Sequence, residues 1–557
     1  MIEQKLGALV AQALTDAAGE LGFAGEAPVV ELDRPRQKEF GDFTTNVALA
    51  LASQVGRAPR DVAEAIVRHL RAADFLRSAE VAGPGFINFR VTHGWLYDVL
   101  RELAARGESF GRIEPTGERV QVEYVSANPV GPLHIGTGRN AVLGDALANL
   151  LQFAGRDISR EYYFNDAGRQ MDLFGESVVA RYLEKLGRPA EFPEEGYRGE
   201  YIKVLAADIA AEAGDSLADL PPDVRRSRIQ ALAIERMFAW IKGTLDRLGV
   251  HMDAYVSERT FHETGAIAET VARLREAGHA YEQDGAIFFR ATEFGDEKDR
   301  VLIRSNGEPT YFAADCAYVV DKFSRGFDHL IYVWGADHHG TVRRLKGAAR
   351  ALGYDPAMVE VILYQLVSLY RGDEPVKMSK RSGDLITLDE LLDEVGADAV
   401  RFTLLYASSD HTINFDIEEA KRQSLDNPVF YVQYAHARIA SILRHAQERG
   451  IRLKPIEEVD LELLSTEAEV DLLREVAELP EQVLVAADLR APHRLTHFAR
   501  SLGERFHRFY TECRVVTEDD ALTQARLWLA AGTKQAIANV MGILGVSVPE
   551  SMERIDE

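Results

Sequence analysis

An apolar strand running straight into a proline- and glycine-rich loop, and from there into a long helix, constrains this chain more than any other feature. Val120 to Val125 gives the strand pattern, and Leu143, Leu147 and Leu150 mark the helix. Between them lies Ser126-Ala127-Asn128-Pro129-Val130-Gly131-Pro132-Leu133-His134-Ile135-Gly136-Thr137-Gly138. The unpaired N–H groups and positive dipole end of such a helix attract phosphate, and His134 can add a hydrogen bond to a phosphate oxygen. Gly136 has no side chain, so a flat adenine can lie directly on the backbone. Far downstream, Lys377-Met378-Ser379-Lys380-Arg381 sets two ammonium groups three residues apart on a loop, with Gly383 as a nearby pivot. That pair suits a triphosphate whose negative charge moves toward a leaving pyrophosphate, and Ser379 adds a hydroxyl donor. Read together, the two stretches make one ATP site.

The rest of the chain divides into regions. Residues 1–110 open with a helical pattern (Leu6, Val10, Leu14) and continue with strand-like pieces such as Gly85 to Val91, a small α/β module. A turn-rich link, Gly107 to Glu118, follows. From 119 to 425 strand patterns (Val120 to Val125, His329 to Trp334, Val359 to Leu366) alternate with helices, as in a parallel nucleotide-binding sheet. A charged helical stretch from about 170 to 280 reads as an insertion, and residues 428–557 as a helix bundle broken near Pro455 and Pro480. A chain of 557 residues exceeds a single core.

No apolar run is long enough to span a bilayer, and the start lacks a basic segment followed by an apolar one, so a soluble cytoplasmic protein is expected. Cys316 and Cys513, the two cysteines, are too few for a disulfide framework or a thiolate zinc site, in keeping with a reducing compartment. The net charge of −24 opposes a nucleic-acid partner. A large acidic protein can still present local basic strips, and the candidates are Arg343-Arg344-Leu345-Lys346 and the carboxy-terminal Arg505, Arg508 and Arg514.

His134 to Thr137 and Lys377 to Arg381 resemble the paired ATP signatures of class I aminoacyl-tRNA synthetases. Glu123-Tyr124-Val125-Ser126-Ala127-Asn128-Pro129, Tyr311-Phe312-Ala313-Ala314-Asp315 and Tyr431-Val432-Gln433-Tyr434-Ala435-His436-Ala437-Arg438-Ile439 narrow the resemblance to the arginyl-tRNA synthetase branch. Phe40-Gly41-Asp42-Phe43-Thr44-Thr45-Asn46 and Gly83-Pro84-Gly85-Phe86-Ile87-Asn88-Phe89 do the same from the amino terminus, in the family's order. The resemblance implies a multidomain α/β protein: an N-terminal tRNA-binding module (1–110), a Rossmann-like parallel-sheet catalytic domain (119–425) and a C-terminal helical anticodon-binding domain (428–557). It implies ligation of L-arginine to tRNA(Arg) with ATP and Mg2+, no tightly bound metal, and activation that requires bound tRNA. A monomer is the working expectation, although the sequence leaves the oligomeric state open.

Arginine makes a physical demand, because a buried guanidinium needs a carboxylate, best in bidentate geometry. Glu123 lies in the apolar strand, and Tyr311 and Asp315, four residues apart, can share a helical face. Spacing alone would also fit a solvent-facing Glu and an ordinary packed Tyr. By resemblance, Glu123, Ser126, Asn128, Tyr311 and Asp315 hold the arginine. His134, Gly136, Gly138, Gly335, Asp337, His338 and Met378 bind ATP, and His134, Thr137, Lys377, Ser379 and Lys380 are catalytic. Phe86 and Asn88 would read the tRNA elbow, with Tyr434 and Arg438 touching the anticodon.

Other readings compete. Asp337-His338-His339 invites a metal, yet adjacent side chains diverge and no third ligand stands at zinc spacing. Gly136-Thr137-Gly138-Arg139-Asn140-Ala141 fits a dinucleotide fingerprint, with Asp157 at a fitting distance, but ten residues separate it from Val125. Thr137 replaces the family's usual second histidine and cannot carry positive charge. That departure also fits a tRNA binder without catalysis, a reading opposed by the intact lysine motif.

Overall fold

The computed structural model describes residues 2–23, 25, 28–35, 37–166, 168–376 and 386–553. They form two compact units that do not follow chain order, residues 1–107, 450–477 and 509–532 in one and the remainder in the other.

In the smaller unit, helix Ile2–Leu21 buries Leu6, Val10, Leu14 and Leu21 along one stripe, the spacing of a half-exposed helix. That stripe shares a core with Phe43, Ile87, Phe89 and Val91. A three-stranded antiparallel sheet, Phe43–Thr45, Phe86–Val91 and Leu76–Ala82 in that order, supplies the strand residues. Strand alternation turns Ile87, Phe89 and Val91 inward and leaves Phe86 and Asn88 on the opposite face.

The larger unit is built on a five-stranded parallel sheet in the order Val359–Tyr364, His329–Gly335, Arg119–Glu123, Asp157–Phe164, Ala254–Ser257. Arg119–Glu123 comes first in sequence but lies in the middle, and the chain builds outward first to one side, then to the other. Between Arg119–Glu123 and His329–Gly335 the order reverses, and such a switch point opens a crevice at the carboxyl ends of the strands. Helix Ile135–Phe153 lies against the sheet by virtue of Gly144, where a Cβ would meet the Tyr124 ring 2.2 Å away.

The strand pattern reaches Val125, but the strand itself ends at Glu123. Val125 and Ser126 adopt φ of 65° and 41°, a costly conformation for a β-branched residue. The stretch read as an insertion contains helices Arg169–Lys185, Glu200–Ala213 and Pro222–Arg247, but also Ala254–Ser257, an edge strand of the main sheet. Its four residues are too short to show a period. A second three-stranded sheet, Glu374–Pro375, Val367–Arg371 and Ile413–Asp416, precedes and follows the lysine motif. The 428–557 region contains helices Pro428–Glu448, Glu467–Ala477, Leu479–Asp488, His493–Glu512 and Asp520–Leu544. Pro480 sits in a first turn, where its missing N–H costs nothing.

Candidate active site

The switch point collects the residues of the first motif. His134 is the N-cap of helix Ile135–Phe153, and its Nδ1 accepts the Gly136 N–H at 3.1 Å. This capping bond assigns the proton of the neutral ring to Nε2, which lies 3.4 Å from the Thr137 hydroxyl. A Cβ on Gly136 would stand 3.0 Å from the His134 ring, so glycine there makes room for the cap. Gly138 is buried against Leu388, where a Cβ would come within 3.0 Å. At the neighbouring strand end, Gly335 gives way to Asp337 and His338, whose side chains are 82% and 58% exposed.

Asn140, which sequence reasoning missed, holds this loop in shape. Its buried side chain accepts the Val125 N–H at 2.5 Å and donates to the Val333 carbonyl at 2.8 Å. One amide thus offsets the strain at Val125 and fastens it to the adjacent strand. Lys377, Met378, Ser379 and Lys380, with Arg381 and Gly383, lie outside the described residues. Their flank is placed: Thr387 bridges His134, and Leu388 donates its N–H to the Leu133 carbonyl at 2.7 Å.

Glu123 points its carboxylate into the protein beside this loop and is almost fully buried. Oε2 accepts from Lys322 Nζ at 2.6 Å, and Oε1 from the Ser126 hydroxyl at 3.2 Å. Ser126 Oγ in turn accepts the Tyr163 N–H at 3.2 Å. Asn128 donates to Gln170 at 2.7 Å and accepts the Asn165 N–H at 3.1 Å. Asp315 stands on helix Tyr311–Ser324, one turn beyond Tyr311, whose ring is 59% exposed. Among the described residues the Asp315 carboxylate has neither a hydrogen-bond nor an ion-pair partner. Burial, with the charges of Glu123 and Glu258 nearby, pushes its pKa up to about 7. Burial also raises Glu258, which accepts from the Tyr163 hydroxyl at 3.0 Å. Glu123, Glu258 and Asp315 thus form a cluster of carboxylates, in which Asp315 lacks a counter-charge among the described residues.

Lys322 and Glu258 were not legible as site residues. Yet Tyr311, Asp315, Tyr318 and Lys322 recur at spacings of four, three and four, so one helical face was available as a signal for Lys322.

The remaining candidates sit elsewhere. Phe86 and Asn88 border a cavity of about 430 Å³ in the smaller unit, lined also by Pro35, Phe40 and Thr44. Tyr434 is buried, with its hydroxyl accepting from Arg438 at 2.8 Å and its ring stacked near His507. Packing explains much of its placement. Among the described residues no acidic, histidine and cysteine cluster could hold a metal, Asp337 to His339 included. No described helix is long and apolar enough to cross a membrane.

Comparison with known proteins agrees with this architecture. The family model described as "tRNA synthetases class I (R), catalytic domain" matches residues 100–413. The "Arginyl tRNA synthetase N terminal domain" matches 4–91, and the "DALR anticodon binding domain" matches 432–552. Sheet order, switch-point loop and these matches together define a class I aminoacyl-tRNA synthetase. An arginine–tRNA ligase of Moorella thermoacetica is 49% identical over 550 residues, covering 98% of each chain. One from Heliobacterium modesticaldum is 49% identical over 558 residues, 99% of each. The Thermus thermophilus arginyl-tRNA synthetase shares the fold, with a TM-score of 0.75 at 24% identity over 99% of this chain and 100% of that one. The chain belongs to the arginyl-tRNA synthetase family.

Proposed function

We infer that this protein joins L-arginine to tRNA(Arg) at the expense of ATP, through an arginyl-adenylate, releasing AMP and pyrophosphate. The observation that carries the reading is the full-length identity with arginine–tRNA ligases. The carboxylate cluster around Asp315 supports it, since it offers a counter-charge to a guanidinium, and the helix N-terminus capped by His134, on the loop that follows Glu123, offers a phosphate site. In this reading ATP enters with Mg2+ as substrate. Tyr311 and Asp315 take the guanidinium, while Glu123, Ser126 and Asn128 shape the floor and orient the amino acid.

The arginine carboxylate oxygen attacks the α-phosphorus, forming the acyl–phosphate bond as the bond to pyrophosphate breaks. His134 serves through its Nε2–H, and Lys377, Ser379 and Lys380 stabilise the charge gathering on pyrophosphate. Gly136, Gly335, Asp337, His338 and Met378 line the nucleotide, with Gly138 acting through the packing of its helix. A terminal ribose hydroxyl of the tRNA then attacks the adenylate carbonyl and AMP leaves. Positioning supplies most of the rate, so no dedicated base is required. Phe86 and Asn88 are proposed to meet the tRNA elbow by stacking and polar contact, and Arg438, more than Tyr434, the anticodon end. We take the enzyme to be a cytoplasmic monomer; light scattering that returns a mass other than about 62 kDa would correct the oligomeric state.

The deciding experiment charges total tRNA with each of the twenty amino acids in the presence of Mg-ATP, with the wild type and with Lys380→Ala. Arginine-only charging that collapses in the variant is expected. Charging of another amino acid would overturn the pocket assignment, and tRNA binding without any charging would favour a non-catalytic binder.

A further inference from the structure

Lys322 sits at the inner end of the helical face that carries Tyr311, Asp315 and Tyr318, and no part of it reaches solvent. Its ammonium donates to Glu123 Oε2 at 2.6 Å and lies over the rings of Tyr318 and Tyr332, 4.1 and 3.7 Å from their centroids. An ammonium ion is expensive to bury unless a counter-charge and ring faces replace its water. On the next strand Glu161 is neutralised likewise, by Arg325 at 2.6 and 2.8 Å, and takes the Tyr318 hydroxyl as well. Glu123, Glu161 and Glu258 are buried and Asp315 half-buried, and of these four carboxylates two own internal cations. Asp315 has none among the described residues, and Glu258 has only His262 at 3.5 Å.

We propose that Lys322 is a positioning residue that sets the charge count of the amino-acid pocket: by occupying Glu123 it leaves Asp315 as the carboxylate open to the guanidinium. This inference rests on the assignment of the pocket to arginine made above. Lys322 also fixes the Glu123 rotamer, so that Oε1 stays on Ser126 at the pocket floor. Removing the cation leaves Glu123 as a second unpaired carboxylate beside Asp315, so arginine would have to displace a more tightly held proton before pairing.

The charged and titratable groups around Asp315 come from every neighbouring element. Glu123 and Glu161 stand on adjacent strands, with Tyr163 beside them and Tyr332 on the other side. Glu258 and His262 belong to helix Glu258–Glu263, Lys322 and Tyr318 to the helix of Asp315 itself. Arg325 lies just beyond that helix, and the charge of Arg344, on helix His339–Ala351, acts to lower the Asp315 pKa. Lys322 is the wholly buried cation of the set.

The test uses the full-length enzyme in tRNA charging, with arginine kcat/KM followed across pH for the wild type, Lys322→Met, Lys322→Arg and Asp315→Asn. Lys322→Met is expected to raise arginine KM about tenfold or more at neutral pH, leave ATP KM within about twofold, and move the acidic limb upward by about one pH unit. Lys322→Arg, which keeps the charge, should restore the limb and most of the affinity. An arginine KM and limb unmoved in Lys322→Met would overturn the proposal. So would a tenfold loss in Lys322→Arg, which decides the matter if the methionine variant does not fold. An unchanged arginine KM in Asp315→Asn would remove the pocket assignment itself. A raised KM there beside a silent Lys322→Met removes only the role given to Lys322.

Discussion

Thr387 pairs with His134 in an isolated antiparallel bridge. The two ATP motifs are far apart in sequence, yet the residue that closes the flank of the second lies against the N-cap of the helix that opens the first. Thr387 is itself the N-cap of helix Leu388–Val395, in a capping box with Glu390. Asp389, in that first turn, accepts from Trp240 Nε1 at 2.9 Å, Thr244 Oγ1 at 2.6 Å and Arg247 Nη1 at 2.6 Å.

Asp389→Ala would therefore loosen the flank while leaving the carboxylates around Asp315 untouched. Its three donors would lose their acceptor, costing about 1–3 kcal/mol of stability. We expect charging kcat to fall about tenfold with arginine KM within about twofold, read from steady-state charging at saturating ATP.

Arg401, buried, donates to Asp145 at 2.5 Å, to the Leu544 carbonyl at 2.9 and 3.1 Å and to the Leu248 carbonyl at 3.0 Å. It thereby closes the ends of two helices and neutralises a carboxylate on the helix that His134 caps. Arg401→Ala leaves Asp145 buried without its cation and should cost about 3–5 kcal/mol, seen as a lower unfolding temperature. Gly545→Ala should fall in the same class, because φ is +67° there and a Cβ would stand 2.1 Å from the guanidinium.

Asp315 gives the larger unit a pH dependence whose sign is fixed. Its carboxyl is held near pH 7 in the folded state against 3.8 in an unfolded chain. The stability it contributes is complete below 3.8 and is lost as the pH rises through about 7. Asp315→Asn should accordingly unfold at a higher temperature than the wild type near pH 8, and the two should converge near about pH 4. The same variant should raise arginine KM by about a hundredfold or more, through loss of the charged partner. Differential scanning calorimetry at several pH values checks the first, charging kinetics the second.

Asn140→Ala removes both bonds that hold the Val125 turn. The Val125 N–H and the Val333 carbonyl would be left buried and unsatisfied, at about 1–3 kcal/mol each. Charging should fall at least tenfold, with Asn140→Asp intermediate because it keeps the acceptor for Val125. Kinetics and unfolding on both variants decide this.

Thr137→His should change kcat less than about tenfold if Lys377 and Lys380 carry most of the charge stabilisation. A gain of a hundredfold or more would transfer that role to the helix entry.

The loop from Ser126 to Gly138 was legible because its determinants are local: proline and glycine spacing, a capping residue, then helical leucines. The same local logic misplaced the strand end. Apolarity continues to Val125, and nothing in the pattern shows that Asn140, fifteen residues on, bends Val125 into a left-handed turn. Glu123 was singled out from its place in the apolar strand, but its partner Lys322 lies 199 residues away, on a helix where lysine ordinarily reads as a solvated face. Tyr434, read both as a packing residue and as an anticodon contact, is largely buried among Phe430, Arg438 and His507, which accounts for the packing part.

By itself, then, the sequence determined the kind of protein: strand, loop and helix in order, with a capping histidine at the helix entry and the family motifs on either side. Periodicity, capping and turn chemistry act over a few residues, so a linear reading captures them. Tertiary structure decided which carboxylate stays unpaired. That choice depends on which cations the sheet order brings against Glu123 and Glu161 and which it withholds from Asp315, and burial turns each such pairing into a large free-energy difference.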